Sequence, residues 1–64
     1  MRFDRIKFVA ELARQDIRQT QLAERSRVSR ATINYIKNGK SCTEEVGKKI
    51  ATALGVPVEK LIEK

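Results

Sequence analysis

Hydrophobic residues recur along the chain at intervals of three and four positions, which is the spacing of one face of an α-helix. The first such segment, residues 5–14, has an apolar face that two larger side chains widen. The face consists of Ile6, Val9, Ala10 and Ala13, and the widening residues are Phe8 and Leu12. Asp4 is suited to cap the start of this helix. Asp16 tolerates the turn geometry expected where the helix ends, and the next residue, Ile17, is expected to return to the core.

The pattern predicts a second helix over residues 18–26. Its inner face consists of Leu22, Ala23 and Ser26. Asp16 and Gln19 have the three-residue offset of a capping box at its start. A tight break follows the helix, and the apolar Val28 within that break is expected to be buried under the turn.

A third helix is predicted over residues 30–37, with Ser29 as its N-cap and Gly39 free to adopt the positive φ that ends it. Its apolar anchors are Ile33 and Ile36. Because they fix the inner side, a rotation of about 100° per residue leaves the opposite side exposed. The residues predicted on that side are Ala31, Asn34, Tyr35 and Asn38, and Arg30 at the helix start is long enough to join them.

A fourth helix is predicted to end at Leu54, with Gly55 as its C-cap and either Ser41 or Thr43 as its N-cap. Its inner stripe consists of Val46, Ile50, Ala53 and Leu54. Gly47 interrupts this helix, and close helix packing is the expected reason.

A last helical segment of about a turn and a half is predicted after Gly55, because Pro57 suits a first helical position. Leu61 and Ile62 at its end are expected to dock on the core. Together these segments predict an all-α fold of five short helices in a single domain, residues 1–64.

Composition narrows the function classes. The chain of 64 residues has no His and one cysteine, Cys42. We therefore expect no disulfide, no metal site, no cofactor and no enzymatic activity. It has no small-molecule motif and no apolar run long enough for a membrane span, so we expect a cytoplasmic protein without a membrane partner.

The net charge of +6 favours an anionic partner, and the charge is concentrated. Residues 18–41 contain six basic side chains and one acid, Glu24, so they carry a net +5. The basic residues are Arg18, Arg25, Arg27, Arg30, Lys37 and Lys40. Such a concentration is typical of a surface that lies along a phosphate backbone.

Three stretches of sequence carry a family resemblance. Gln19-Thr20-Gln21-Leu22-Ala23, Val28-Ser29-Arg30-Ala31-Thr32-Ile33 through Asn38-Gly39, and Ile50-Ala51-Thr52-Ala53-Leu54-Gly55-Val56 resemble the lambda-repressor-like, Cro-type helix-turn-helix domain. The likeness covers roughly residues 5–62. It implies a five-helix DNA-binding fold, usually a transcriptional regulator of a phage or mobile element that often binds as a dimer.

The exposed side of the third helix suits base recognition in the major groove. Arg30 is suited to guanine, Asn34 to an adenine edge and the Ala31 methyl to a thymine methyl. Tyr35 is expected to contact DNA as well, by stacking or a backbone hydrogen bond, unless it covers the edge of the core.

A second set of residues is expected at phosphates. The resemblance implies phosphate contacts for Gln19, Lys40 and Ser41. The remaining candidates are Ser29, Thr32 and Asn38. Rival roles remain open for three of the six: Gln19 and Ser29 suit helix capping, and Thr32 suits a bond to a backbone carbonyl.

The sequence departs from the family pattern in the helix-turn-helix itself. The turn usually contains Gly where this chain has Arg27, and a left-handed backbone there costs roughly 1 kcal/mol or more for a residue with a Cβ. The ion pair that often joins the first and third helices is missing, because those positions match Leu12 and Lys37.

Two functions fit these features. The first is a sequence-specific regulator that occupies double-stranded operator DNA as a homodimer, with its dimer contact around Val56, Val58 and Leu61. The alternative is a protein-binding module of the same fold, acting as an antirepressor, an antitoxin or a recombination accessory factor.

Overall fold

A computed structural model of the chain describes residues 1–63. Four α-helices follow one another, namely α1 (Arg5–Gln15), α2 (Gln19–Ser26), α3 (Arg30–Lys37) and α4 (Glu44–Leu54). These helices match the first four that the sequence pattern predicts. The fold of the described residues is all-α, without strands beyond two isolated backbone bridges.

The predicted count of five helices is not confirmed, because the last helical segment, Val58–Lys60, is a single 3-10 turn. Backbone pairing with the N-terminal segment gives the physical reason. The Leu61 carbonyl accepts from the Asp4 N–H at 2.8 Å, and the Glu63 N–H donates to the Arg2 carbonyl at 3.0 Å. Because these groups are used between segments, the turn does not continue as a helix.

Local signals set most helix ends as predicted. The Asp4 carboxylate accepts from the backbone N–H groups of Ile6 and Lys7, at 2.9 and 3.1 Å, which caps α1. Thr43, rather than Ser41, caps α4 by accepting from the Val46 N–H. The left-handed residues Asp16 and Gly55 close α1 and α4. These interactions satisfy N–H and C=O groups that helix ends leave without partners.

The capping box predicted from Asp16 and Gln19 is wrong. Asp16 adopts φ 54° and ψ 45° as the C-cap that follows α1, so it is not at the start of α2. The N-cap of α2 is Arg18, whose N–H donates to the Gln21 side-chain oxygen at 3.0 Å.

The inner face predicted for α1 is also wrong. Phe8 and Leu12 are buried, whereas Ile6 is 81% and Val9 42% exposed. Ala10 and Ala13, the other members of the predicted face, are exposed as well. The larger side chains decide the orientation, because Phe8 packs edge-on against the buried Phe3 with ring centroids 5.2 Å apart.

The core lies between the four helices and the two chain ends. It consists of Phe3, Phe8, Leu12, Ile17, Leu22, Val28, Ile33, Ile36, Ile50, Ala51, Leu54 and Leu61. Of the inner stripe predicted for α4, Ile50 and Leu54 are buried, whereas Val46 and Ala53 are only half-buried. Ala51, which was not predicted to face inward, is buried as well. Gly47 does not face a helix: a Cβ there would collide with the Met1 side chain.

Burial of the last turn changes the expectation about the dimer surface. Leu61 is fully buried, and the half-buried Val56 and Val58 pack against the same core. These side chains already serve the interior of the chain. The predicted contact around Val56, Val58 and Leu61 is therefore not the free apolar surface that the sequence suggested.

Candidate nucleic-acid interface

The two sides of α3 differ sharply. Ile33 and Ile36 are both fully buried, which fixes the orientation of the helix. The opposite flank is exposed, as predicted, and bears Arg30, Ala31, Asn34 and Tyr35. Tyr35 is 57% exposed, so it does not cover the edge of the core. The four candidate base-contacting residues therefore lie together on one accessible helix flank.

The start of α3 is fixed by two residues that were predicted to contact phosphate. The Ser29 hydroxyl accepts from the Thr32 N–H at 3.1 Å and donates to the Thr32 Oγ1 at 2.9 Å. Ser29 thus has the capping role. The Thr32 hydroxyl accepts this bond and keeps its own proton for an outside acceptor, which makes Thr32 the better donor of the pair.

The turn between α2 and α3 is held from inside. The buried Ser26 hydroxyl donates to the Leu22 carbonyl at 2.6 Å and accepts from the Val28 N–H at 3.3 Å. Val28 is buried under the turn, as predicted. Arg27 adopts φ 60° and ψ 28°, so an exposed arginine stands in the left-handed region where glycine is favoured.

At the start of α2 the side chain that bonds to the backbone of the N-cap residue, Arg18, is that of Gln21 and not that of Gln19. The rival interpretation of Gln19 as the cap is therefore wrong. Gln19 is half-buried in the first position of the helix. The first position of a helix lies at the positive end of its dipole, where an anion is favoured.

The loop after α3 carries Asn38, Lys40 and Ser41, all exposed. Asn38 is the C-cap of α3, and Gly39 follows it with φ 92°. The Lys40 N–H donates to the Tyr35 carbonyl at 3.3 Å. These three side chains thus continue the exposed surface beyond the end of α3.

Residues 1–3 position this loop, a role that sequence reasoning missed. The Met1 carbonyl accepts from the Cys42 N–H at 2.7 Å, and the Met1 amino group donates to the Cys42 carbonyl at 2.8 Å. Phe3 before the cap and Phe8 in the first helical turns have the spacing of a hydrophobic staple, a signal that pointed to an ordered N-terminal segment. Burial raises the pKa of the Cys42 thiol, so this loop residue stays uncharged.

The charge concentration lies on the surface. Five of the six basic residues between 18 and 41 are exposed, and Lys37 is half-buried. Groups of metal-ligating side chains are absent from residues 1–63. None of the helices in the described chain is long and apolar enough to cross a membrane.

Two short helices, α2 and α3, joined by a three-residue turn with the outer flank of the second exposed, form a helix-turn-helix. A family model described as helix-turn-helix matches residues 10–61. The chain belongs to this Cro/cI-type helix-turn-helix family of DNA-binding regulators. No curated protein and no solved structure matches it.

Proposed function

We propose that this protein is a sequence-specific regulator of transcription that reads double-stranded DNA with α3 in the major groove. The observation that carries the proposal is the exposed flank of α3, which lies opposite two fully buried isoleucines, Ile33 and Ile36. That flank belongs to a segment with a net charge of +5, residues 18–41. A major groove about 12 Å wide accepts one α-helix presented in this way.

Four side chains on this flank recognise bases. Arg30 donates two hydrogen bonds to O6 and N7 of a guanine, and Asn34 pairs with the N6 and N7 edge of an adenine. The Ala31 methyl contacts a thymine methyl. A small side chain suits this position, since a larger one would hold the helix away from the groove floor. Tyr35 stacks against a base or donates its hydroxyl to the backbone.

Contacts to phosphates fix the register on either side of α3. Gln19 donates from the start of α2, and Thr32 donates the hydroxyl proton that the Ser29 bond leaves free. The loop after α3 provides the other grip, through Asn38, Lys40 and Ser41. Ser29 contributes mainly by capping α3, with its oxygen already bonded to the Thr32 N–H.

One helix of this length offers few base contacts, so useful specificity requires two copies on a two-fold site. A homodimer on half-sites about one helical turn apart doubles the number of base pairs read. The proposed regulatory action is repression: a dimer on its operator occupies DNA that the polymerase needs.

Selection from random-sequence duplex DNA tests the proposal. We expect a palindromic motif to be enriched. When binding to that motif is measured by fluorescence anisotropy, the logarithm of the association constant is expected to fall linearly as log[salt] rises. The expected slope is about −0.9 for each phosphate neutralised. Absence of an enriched motif and of saturable binding at low salt would contradict the proposal and favour an acidic protein as the partner.

A further inference from the structure

The N-terminal segment lies between the loop after α3 and the last residues that the structure describes. Met1 and Cys42 exchange two backbone hydrogen bonds, of 2.7 and 2.8 Å. Arg2 forms an antiparallel bridge with Ser41 in this loop, and its carbonyl accepts from the Glu63 N–H at 3.0 Å. The backbone of Arg2 is therefore held from both sides, which fixes the point at which its side chain leaves the chain beside the loop.

This pairing brings the side chains of Arg2 and Ser41 together. In an antiparallel ladder, a pair that exchanges both hydrogen bonds alternates with a pair that exchanges none, and side chains lie closer in the second kind. Since Met1 and Cys42 form the bonded pair, Arg2 and Ser41 form the close one, with Cβ atoms about 4.5–5.5 Å apart on one face. Phe3 points to the other face and is fully buried, whereas Arg2 and Ser41 are both exposed.

A second exposed arginine reaches the same loop from the first turn of α1. The Arg5 side chain packs against Gly39 so closely that a Cβ on this glycine would lie 3.2 Å from the Arg5 Cδ. Arg5 also lines an open groove together with Asn38. Gly39 is two residues from Ser41, so the two arginines approach the loop at positions within about 7 Å of each other.

Both arginines are without an acid partner in the part of the chain that the structure describes. The ion pairs found there lie within α1 and within α4, and neither includes Arg2 or Arg5. The carboxylate of Asp4, between the two arginines, accepts from two N–H groups at the start of α1. Glu63 lines the groove beside Arg5 without forming an ion pair. The two guanidinium groups thus keep their donors for a partner outside the chain.

These two charges change the surface beside the loop. Residues 38–41 contain a single cation, Lys40, although this loop is the proposed phosphate grip. Arg2 and Arg5 raise the number of cations there to three. Charge counted along residues 18–41 misses both, because the fold brings them to the loop from before α1 and from its first turn.

From this arrangement we infer that Arg2 and Arg5 contact the DNA phosphates next to those gripped by Lys40 and Ser41, an inference that rests on the proposed DNA binding. A guanidinium group matches a phosphate well, because it donates two parallel hydrogen bonds to two of its oxygens. Contacts to phosphates position a protein on DNA and carry no sequence information. The two arginines therefore add affinity without adding a base preference.

Each contact accounts for a measurable share of the salt dependence. On B-DNA the logarithm of the association constant falls with log[salt] by about 0.9 for each phosphate neutralised, so one contact corresponds to about 8-fold in affinity at 0.1 M salt. Arg2→Gln and Arg5→Gln are each expected to weaken binding by about this factor and to reduce the magnitude of the slope by about 0.9. The loss is expected to be equal on the selected motif and on a scrambled duplex.

Three controls separate a contact from a general effect of charge or folding. Lys7→Gln removes the same charge from α1, at a rotation of about 200° from Arg5, and is expected to weaken binding less than about 2-fold, because a distant exposed charge is screened by salt. Arg2→Lys keeps the charge and is expected to retain most of the wild-type affinity. Urea midpoints of all four variants are expected to match the wild type, since these side chains are exposed.

The outcomes distinguish this inference from the proposed function. Wild-type binding with equal effects of Arg2→Gln, Arg5→Gln and Lys7→Gln overturns the inference alone. A loss of preference at one base pair of the motif in either arginine variant also overturns it. Failure of the wild type to bind any duplex saturably at low salt overturns the proposed DNA binding, and the inference with it.

A scan of the phosphates locates the contact. Neutral methylphosphonate linkages are placed one at a time along the selected duplex, and the affinities of wild type, Arg2→Gln and Lys7→Gln are compared. We expect a linkage that weakens the wild type and Lys7→Gln to have no further effect on Arg2→Gln, because groups in contact are not additive. Losses that add to Arg2→Gln at every linkage would show that Arg2 touches no phosphate.

Discussion

The helices α1 and α3 both contain apolar residues at helical spacing, but the pattern identifies the buried side of only one. In α3 the two isoleucines are the sole large aliphatic side chains, and both are fully buried. In α1 there are more apolar residues than the core holds. The pair Phe8 and Leu12 is buried, and Ile6 and Val9 stay in solvent.

This difference shows what an apolar stripe reveals about a helix. Where it is narrow, as in α3, it fixes the buried side and therefore the functional flank. Where it is wide, as in α1, burial of the largest side chains decides, and Phe3 adds its ring to the same side. The surplus apolar residues then form an exposed surface, and in this chain that surface borders the C-terminal end of α3.

The largest expected effect tests the orientation of the two helices directly. Ile36→Ala in α3 is expected to lower the free energy of unfolding by about 2–5 kcal/mol, because it leaves a cavity in the core. Ile6→Ala in α1 removes the same atoms from an exposed site and should change it by less than about 0.5 kcal/mol. Urea unfolding followed by circular dichroism measures both. Equal losses would mean that α1 buries its Ile6 face.

A smaller difference in unfolding free energy is expected between two variants that each lose a side-chain hydrogen bond, one in the turn before α3 and one on α1. Ser26→Ala leaves the buried Val28 N–H without its acceptor in the turn before α3, at a cost of about 1–3 kcal/mol. Gln15→Ala removes a half-buried bond of 2.7 Å from α1 to the Leu54 carbonyl, for about 0.5–1.5 kcal/mol. Urea midpoints compare the two variants, and a larger loss for Gln15→Ala would contradict this ranking.

Two helices end on a left-handed residue other than glycine, Asp16 and Arg27, and replacing Arg27 offers a gain in stability. Arg27→Gly before α3 is expected to raise the free energy of unfolding by about 0.5–1 kcal/mol, since the relief of strain exceeds the added chain entropy of glycine. Asp16→Gly after α1 is expected to change little, because aspartate tolerates this conformation better than arginine does. Thermal and urea unfolding measure both, and destabilisation by Arg27→Gly would contradict the strain at the turn.

The smallest effect concerns pH and an ion pair on α1. Hydrogen bonds from Arg14 and Gln15 hold the pKa of the Glu11 carboxyl below its ordinary value of 4.5. Because the folded pKa is the lower one, this stabilisation is present above 4.5 and is lost as pH falls through the folded value. We therefore expect the wild type to exceed Glu11→Gln in urea midpoint at pH 7 and the gap to narrow as pH falls below 4.5. A gap that is unchanged at pH 3 would contradict the pairing.

Features that depend on near neighbours were predictable from the sequence. Asp4, Ser29 and Gly55 act within one helical turn, and Ile33 with Ile36 leaves one choice for the side of α3. Features that depend on distant segments were not. Met1 meets Cys42 across 41 positions, and Gln15 of α1 bonds to the Leu54 carbonyl across 39.

The candidate site divides in the same way. The exposed flank of α3 follows from two buried residues on the same helix, so the sequence was sufficient to place Arg30, Ala31, Asn34 and Tyr35. The placement of Lys40 and Ser41 depends on residues 1–3, which pair with their loop through the Arg2–Ser41 bridge. The spacing of Phe3 and Phe8 was the signal that these residues are ordered.

The most direct test of the account compares Arg30→Ala with Lys40→Ala on a panel of duplexes in which each base pair of the selected motif is changed in turn. We expect Arg30→Ala to lose about 1–3 kcal/mol of discrimination at one guanine position and to keep the other preferences. Lys40→Ala is expected to weaken all duplexes alike and to reduce the magnitude of the salt slope by about 1. An Arg30→Ala variant with every base preference of the wild type would contradict the claim that α3 reads the DNA.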